Sequence, residues 1–190
     1  TLAPDEYKAM GDALGALERQ GVNRLALQAL HLLALTGCRK GEITNLKKHE
    51  IDTNSGCFRF DDTKTGAQNR PVGQSAMNVL EDVAESESEY VFPAKRGDGA
   101  LEGKKVFSGV FAEAKLKGVT AHVLRHSYAS VALELGYSEL TIAGLLGHSI
   151  SSVTGRYTHH VDRSLVAAAD RVSKVVFERM TGEGVKVGEV

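Results

Sequence analysis

The chain is short of the features that would assign it to a specialised class. It has two cysteines, Cys38 and Cys57, in 190 residues. Two cannot build a disulfide framework, so a reduced, cytosolic compartment is the expectation. No stretch approaches the roughly 18–20 uninterrupted apolar residues that a membrane span needs. The most apolar run, Leu25 to Leu35, is broken by Gln28 and His31 and reads as a buried helix. A secretory leader pattern is absent, as is a Walker-type phosphate loop. The histidines make no zinc pattern: His122 and His126 are four apart, but Val123 follows His122 where H-E-x-x-H demands Glu. There is also no charge excess, with 23 Lys and Arg against 24 Asp and Glu. A near-neutral sum argues mildly against a nucleic-acid binder. Clustering matters more than the sum, however. Basic residues bunch at Arg39-Lys40, Lys47-Lys48, Lys95-Arg96, Lys104-Lys105 and Lys115 to Lys117, and acidic ones at Asp61-Asp62 and Glu81 to Glu89.

What is present reads as one mainly helical domain with a small sheet, a mixed α+β class. Pro4-Asp5-Glu6 predicts a helix start, with Pro in the first turn and carboxylates at the positive end of the dipole. That helix should run to about Glu18. A largely apolar central helix follows and stops at Gly37, then a short helix from Lys40 to Leu46. Glu50 to Asp52, Cys57 to Phe60 and Arg70 to Val72 read as three short antiparallel strands, with Asn54-Ser55-Gly56 as a turn. Helices are expected at Ser75 to Ala84, Lys104 to Leu116, Ala121 to Leu135 and Glu139 to Leu146. Thr120 and Ser138 are the candidate N-caps of the last two. A final helical region spans Ser151 to Arg179, broken near His159-His160, and residues 181–190 read as a frayed tail.

Several residues suit phosphate chemistry. His122 and Arg125, three apart on a helix, share a face. Arg39 sits after a glycine at a helix mouth, and His148 follows Gly147 at another junction. Two guanidiniums and two imidazoles match a phosphodiester, since arginine pairs its donors with phosphate oxygens. Each residue alone has an ordinary reading as a cap or a solvated side chain. Order along the chain changes this. Thr36-Gly37-Cys38-Arg39-Lys40-Gly41-Glu42-Ile43 resembles the first arginine box of the tyrosine recombinases, the phage-integrase family. Thr63-Lys64-Thr65-Gly66 resembles that family's lysine hairpin, His122-Val123-Leu124-Arg125 its His-x-x-Arg box, and Leu145-Leu146-Gly147-His148 its Leu-Gly-His box. Gly155-Arg156-Tyr157 resembles its nucleophile segment. Ala3, where a capping Thr is frequent, and Val123 are minor departures.

The resemblance implies the catalytic domain of such an enzyme over residues 1–180, with the family's fold and its separate DNA-clamping domain outside this chain. The start at Thr1 fits a fragment or processed product. Tyr157 would attack the scissile phosphorus and form a 3′-phosphotyrosyl link. Arg39, Arg125 and His148 would hold the phosphate oxygens. His122 would accept the tyrosine proton or add a phosphate contact. Lys64 would protonate the 5′-oxygen as it leaves. Glu42 would orient Arg39 or a neighbouring histidine, its alternative being a plain surface carboxylate. His126 is expected to pack and hydrogen-bond behind Arg125. No cofactor or metal is implied. The expected partner is double-stranded DNA, bound as a homotetramer by a protein that is monomeric when free. The segment Val161 to Met180 would dock either on a neighbour or on its own domain. Integration or excision of a phage or other mobile element is the expected biology, with chromosome-dimer resolution or a type IB topoisomerase-like activity as alternatives.

Overall fold

A computed structural model describes residues 1–60, 66–148 and 163–183. Eight α-helices, a 3-10 turn at Lys48–Glu50 and one three-stranded sheet occupy these residues: α1 Pro4–Arg19, α2 Arg24–Thr36, α3 Lys40–Thr44, β1 Ile51–Asp52, β2 Cys57–Phe60, β3 Gln68–Pro71, α4 Gln74–Glu81, α5 Lys104–Glu113, α6 Ala121–Glu134, α7 Glu139–Leu146 and α8 Arg163–Thr181. The expected class is observed. Residues 61–65, 149–162 and 184–190 lie outside the described residues, and with them Lys64, Tyr157, the start of the last helical region and most of the tail.

The apolar character of α2 has a direct consequence. Nine of its residues are buried, among them Leu27, Leu30, Leu32, Leu33 and Leu35, and they occupy most of its circumference. A helix apolar all round must be surrounded, and α2 touches α1, α4, α5, α6 and α8. The Asn23 side chain caps its amino end by accepting from the Leu25 amide at 3.1 Å. Gly37 ends it in the left-handed region at φ 61°, its amide donating to the Leu33 carbonyl at 3.2 Å. Thr120 and Ser138 cap α6 and α7 through their hydroxyls as expected. At α1 the missing capping hydroxyl is offset from the other side: the Glu6 carboxylate accepts from the Ala3 amide at 2.8 Å.

The sheet runs β1-β2-β3 and is antiparallel throughout. Its third strand begins at Gln68, two residues before the sequence suggested. Backbone pairing carries these polar residues: Gln68 faces Phe60 and Asn69 faces Arg59. Val72, the apolar residue that marked the segment, lies just past the strand, where its amide donates to Gly56 at 2.9 Å. The acidic segment after α4 is exposed, as expected, and is tied back to the chain. Lys47 Nζ meets Glu89 at 2.9 Å, and Lys48 Nζ donates to the Ser86 carbonyl. No helix among the described residues is long and apolar enough to cross a membrane.

Candidate functional site

Two helices end on glycines, and the candidate residues follow those ends. Gly37 closes α2 and delivers Arg39 two residues later. Gly147, at φ 63°, closes α7; its amide donates to the Gly144 carbonyl and the His148 amide to the Ala143 carbonyl, at 3.1 and 2.9 Å. That paired return is the Schellman pattern, and it fixes where His148 leaves the helix. Neither position would tolerate a side chain. A Cβ at Gly37 would stand 2.7 Å from the Tyr128 ring, and one at Gly147 2.5 Å from Cζ of Arg70.

Arg125 joins the two ends. It lies on the core-facing side of α6 and is only 6% exposed. One terminal nitrogen donates to the Gly37 carbonyl at 2.7 Å, the other to the Leu146 carbonyl at 2.9 Å. These carbonyls sit at the negative ends of α2 and α7, where a cation is favoured. The second nitrogen also lies 3.1 Å from Nε2 of His148. A guanidinium only donates, so this contact makes Nε2 the acceptor and leaves the ring proton on Nδ1. Burial, then Arg70 and Arg39, push the Arg125 guanidinium down to about 10, still charged at neutral pH. Partial burial of the ring, then Arg125, Arg39 and Arg70, lower His148 below the ordinary histidine range and keep it neutral.

Glu42 organises the remaining arginines. Its Oε2 accepts from the Arg39 amide at 2.7 Å, capping α3, and its Oε1 accepts from Arg39 Nη1 at 2.8 Å. The same Oε1 takes a hydrogen bond from Arg70 Nη2 at 2.9 Å. Of the two orientation options open from sequence, Arg39 is the one observed. Among the described residues no histidine is one of its hydrogen-bond partners. The Arg39 side chain is 48% exposed, whereas Arg70 is fully buried. Breaking a buried pair from one side typically costs about 3–5 kcal/mol. Sequence reasoning passed over Arg70. The signal was its i, i+2 spacing from apolar Val72: both are buried, and Arg70 pairs with buried Phe58.

Arg39, Arg70, Arg125, His148 and Glu42 are thus one cluster, drawn from α3, β3, α6 and the end of α7. Three guanidiniums against one carboxylate leave a local surplus of positive charge. An arrangement of this kind binds anions and stabilises charge that builds on phosphate oxygens. Cys38 is buried beside it, and burial pushes its thiol up.

His122 lies one turn before Arg125 on α6 and is exposed. Its observed partner is His126, with Nε2 atoms 2.9 Å apart and the rings edge to face. This corrects the expectation for His126, which does not pack behind Arg125. Four residues apart, the two histidines share the outer face of the helix, while Arg125 is turned inward. Among the described residues no group of three or more His, Cys, Asp or Glu converges as a metal site would. Lys64 and Tyr157 lie outside the described residues.

Known proteins align with this chain over most of its length. The model of the phage integrase family matches residues 1–164. Tyrosine recombinase XerD of Listeria innocua is 30% identical over 143 residues, covering 68% of this chain and 48% of that relative. The chain therefore spans about half the length of the curated relatives it matches. Among solved structures, XerA recombinase superposes with a TM-score of 0.64 at 24% identity, over 87% of this chain and 62% of that one. A lambda integrase dimer bound to a COC′ core site superposes at 0.57 and 22% identity, over 78% of this chain and 57% of that one. At these identities the structures speak for the fold alone. The family match, which spans most of the sequence and all five motifs, places this protein in the phage integrase family, the tyrosine recombinases.

Proposed function

We propose that this chain is the catalytic domain of a site-specific DNA recombinase that cleaves and rejoins strands through Tyr157. The observation that carries the proposal is the cluster of Arg39, Arg125 and His148 at two glycine-terminated helix ends, with Glu42 holding Arg39. The scissile phosphate would sit against Arg39 and Arg125, with Nδ1–H of His148 as a further donor. The Tyr157 oxygen would form the new bond to phosphorus as the bond to the 5′-oxygen breaks. The phenolic proton would pass to His122 or to solvent, and Lys64 would protonate the departing 5′-oxygen. The phosphotyrosyl bond conserves the energy of the broken linkage, so rejoining is attack by a 5′-hydroxyl on the same phosphorus. Loss of one oxyanion donor in such a site costs on the order of 3–4 kcal/mol.

Double-stranded DNA is the proposed partner, bound by four copies across two sites. The lambda integrase that shares this fold is bound to DNA at its core site as a dimer, which supports DNA as the partner. Integration or excision of a mobile element and resolution of chromosome dimers are two uses of this one reaction. Recombination between two plasmid-borne copies of a site, against one plasmid and one chromosomal copy, separates them. The chemistry itself is tested with a nicked suicide duplex. Wild-type protein should trap a covalent protein–DNA adduct that survives denaturant, and Tyr157→Phe should abolish it while leaving DNA binding intact. An adduct of undiminished yield on Tyr157→Phe would overturn the assignment.

A further inference from the structure

We infer that Arg70 is a positioning residue of the phosphate site, whose buried charge neutralises Glu42 so that Arg39 is left free to grip DNA. The inference rests on the reading of the site proposed above. It starts from an oddity of burial. Arg70 is fully buried, and its Nε and Nη1 have no hydrogen-bond partner among the described residues. A guanidinium placed to stabilise the fold would be expected to use more of its donors. Here Nη2 does the work, donating to Glu42 Oε1 at 2.9 Å and reaching Gln68 at 3.3 Å. The side chain has no exposed surface through which it could touch DNA directly.

The geometry gives it an indirect task. Glu42 Oε1 accepts from Arg39 and Arg70 at nearly equal distances. A carboxylate facing Arg39 alone would cancel much of the charge that a phosphate must meet. Shared between two arginines, it keeps the capping contact to the Arg39 amide while cancelling only part of that charge. Arg70 also lies against Gly147, so close that a Cβ there could not fit. One buried side chain therefore links the β3 strand to the Arg39–Glu42 pair and to the turn that presents His148. The positive potential of Arg70 is felt at both Arg125 and His148.

The test is a charge-rescue cycle in the full 190-residue chain, read as single-turnover adduct formation at saturating nicked DNA, with melting curves to certify folding. Arg70→Met, similar in volume and uncharged, should slow cleavage by at least roughly tenfold, the scale of losing support behind a charged ligand. Adding Glu42→Gln should bring the rate back to within that factor of wild type, because Gln keeps an oxygen for the Arg39 amide and no longer needs a countercharge. Rescue of this kind would not arise if Arg70 were only packing. A rate for Arg70→Met within about tenfold of wild type overturns the inference, as does a double variant slower than that limit. Should Arg70→Met fail to fold, the double variant, which buries no unmatched charge from this pair, decides by the same limit alone. Wild-type chain that forms no adduct would instead overturn the parent reading, a result distinguishable from normal wild-type cleavage with an unaffected Arg70→Met.

Discussion

Arg125 ties the fold together with the same atoms that the proposed reaction would use. Its two terminal nitrogens hold the last turns of α2 and α7 together by their carbonyls. A lysine in its place has one ammonium on a flexible stem and cannot span both. Arg125→Lys should leave a buried carbonyl unpartnered, at about 1–3 kcal/mol, and lower the melting midpoint accordingly. In the proposed reaction it should also slow adduct formation on the order of 100- to 1000-fold. A suicide-substrate time course beside a thermal melt checks both, and an unchanged rate would show that the guanidinium fork is not used. Arg39, Arg125 and His148 were legible in the sequence because each sits in a motif whose neighbours, the glycines above all, fix its placement. Arg70 was not. Its segment reads as a polar strand edge, and only the packing of β3 beneath α3 and the end of α7 reveals that the arginine points inward. His126 misled for a related reason: neighbours in sequence point about 100° apart on a helix, enough to leave His126 exposed while Arg125 is buried.

The elements show the same logic, since helix ends decide where the site residues go. Most spans were readable because their caps are local chemistry, as Asn23, Thr120 and Ser138 show. The end of α5 was misplaced, at Leu116 rather than Glu113. The stop is made without glycine: Lys115 adopts φ 57°, its amide donates to Ala112 and the Leu116 amide to Phe111, at 3.0 and 2.8 Å. A lysine in this left-handed return costs about 1–2 kcal/mol, accepted because it turns Leu116 into the core. No propensity rule signals that, since Gly118 is the nearer-looking stop. Lys115→Gly should relieve the strain and, after the larger unfolded-state entropy of glycine, raise stability by roughly 0.5–1 kcal/mol. Urea unfolding of the two proteins checks this; a lower midpoint for the glycine variant would mean that the lysine stem supplies packing worth more than the strain.

At the scale of the whole molecule, α8 is the element that closes the domain. It lies against α1, α2, α4, α6 and α7, and buries Ala168, Ala169, Val172, Val176 and Met180. Of the two dockings open from sequence, its described part packs on its own domain. One contact in this closure is sensitive to protons. His31 of α2 stacks on Phe177 of α8, ring centroids 6.1 Å apart, and its Nε2 is sealed from solvent without a partner among the described residues. Burial lowers this imidazole to about 4 from an ordinary value near 6.5. Above that ordinary value both folded and unfolded chains hold it neutral, and its contribution to stability is complete. As pH falls from about 6.5 towards 4, the unfolded chain takes up a proton that the folded one refuses, so stability drains away over that window and levels below it. His31→Gln cannot titrate. The difference in unfolding free energy between wild type and His31→Gln should therefore shift against wild type as urea melts are taken from pH 7 to 4, while carboxylate effects common to both proteins cancel. If the two profiles run parallel across the window, His31 takes up its proton equally in the folded and unfolded chains, and the α2–α8 contact does not hold it neutral.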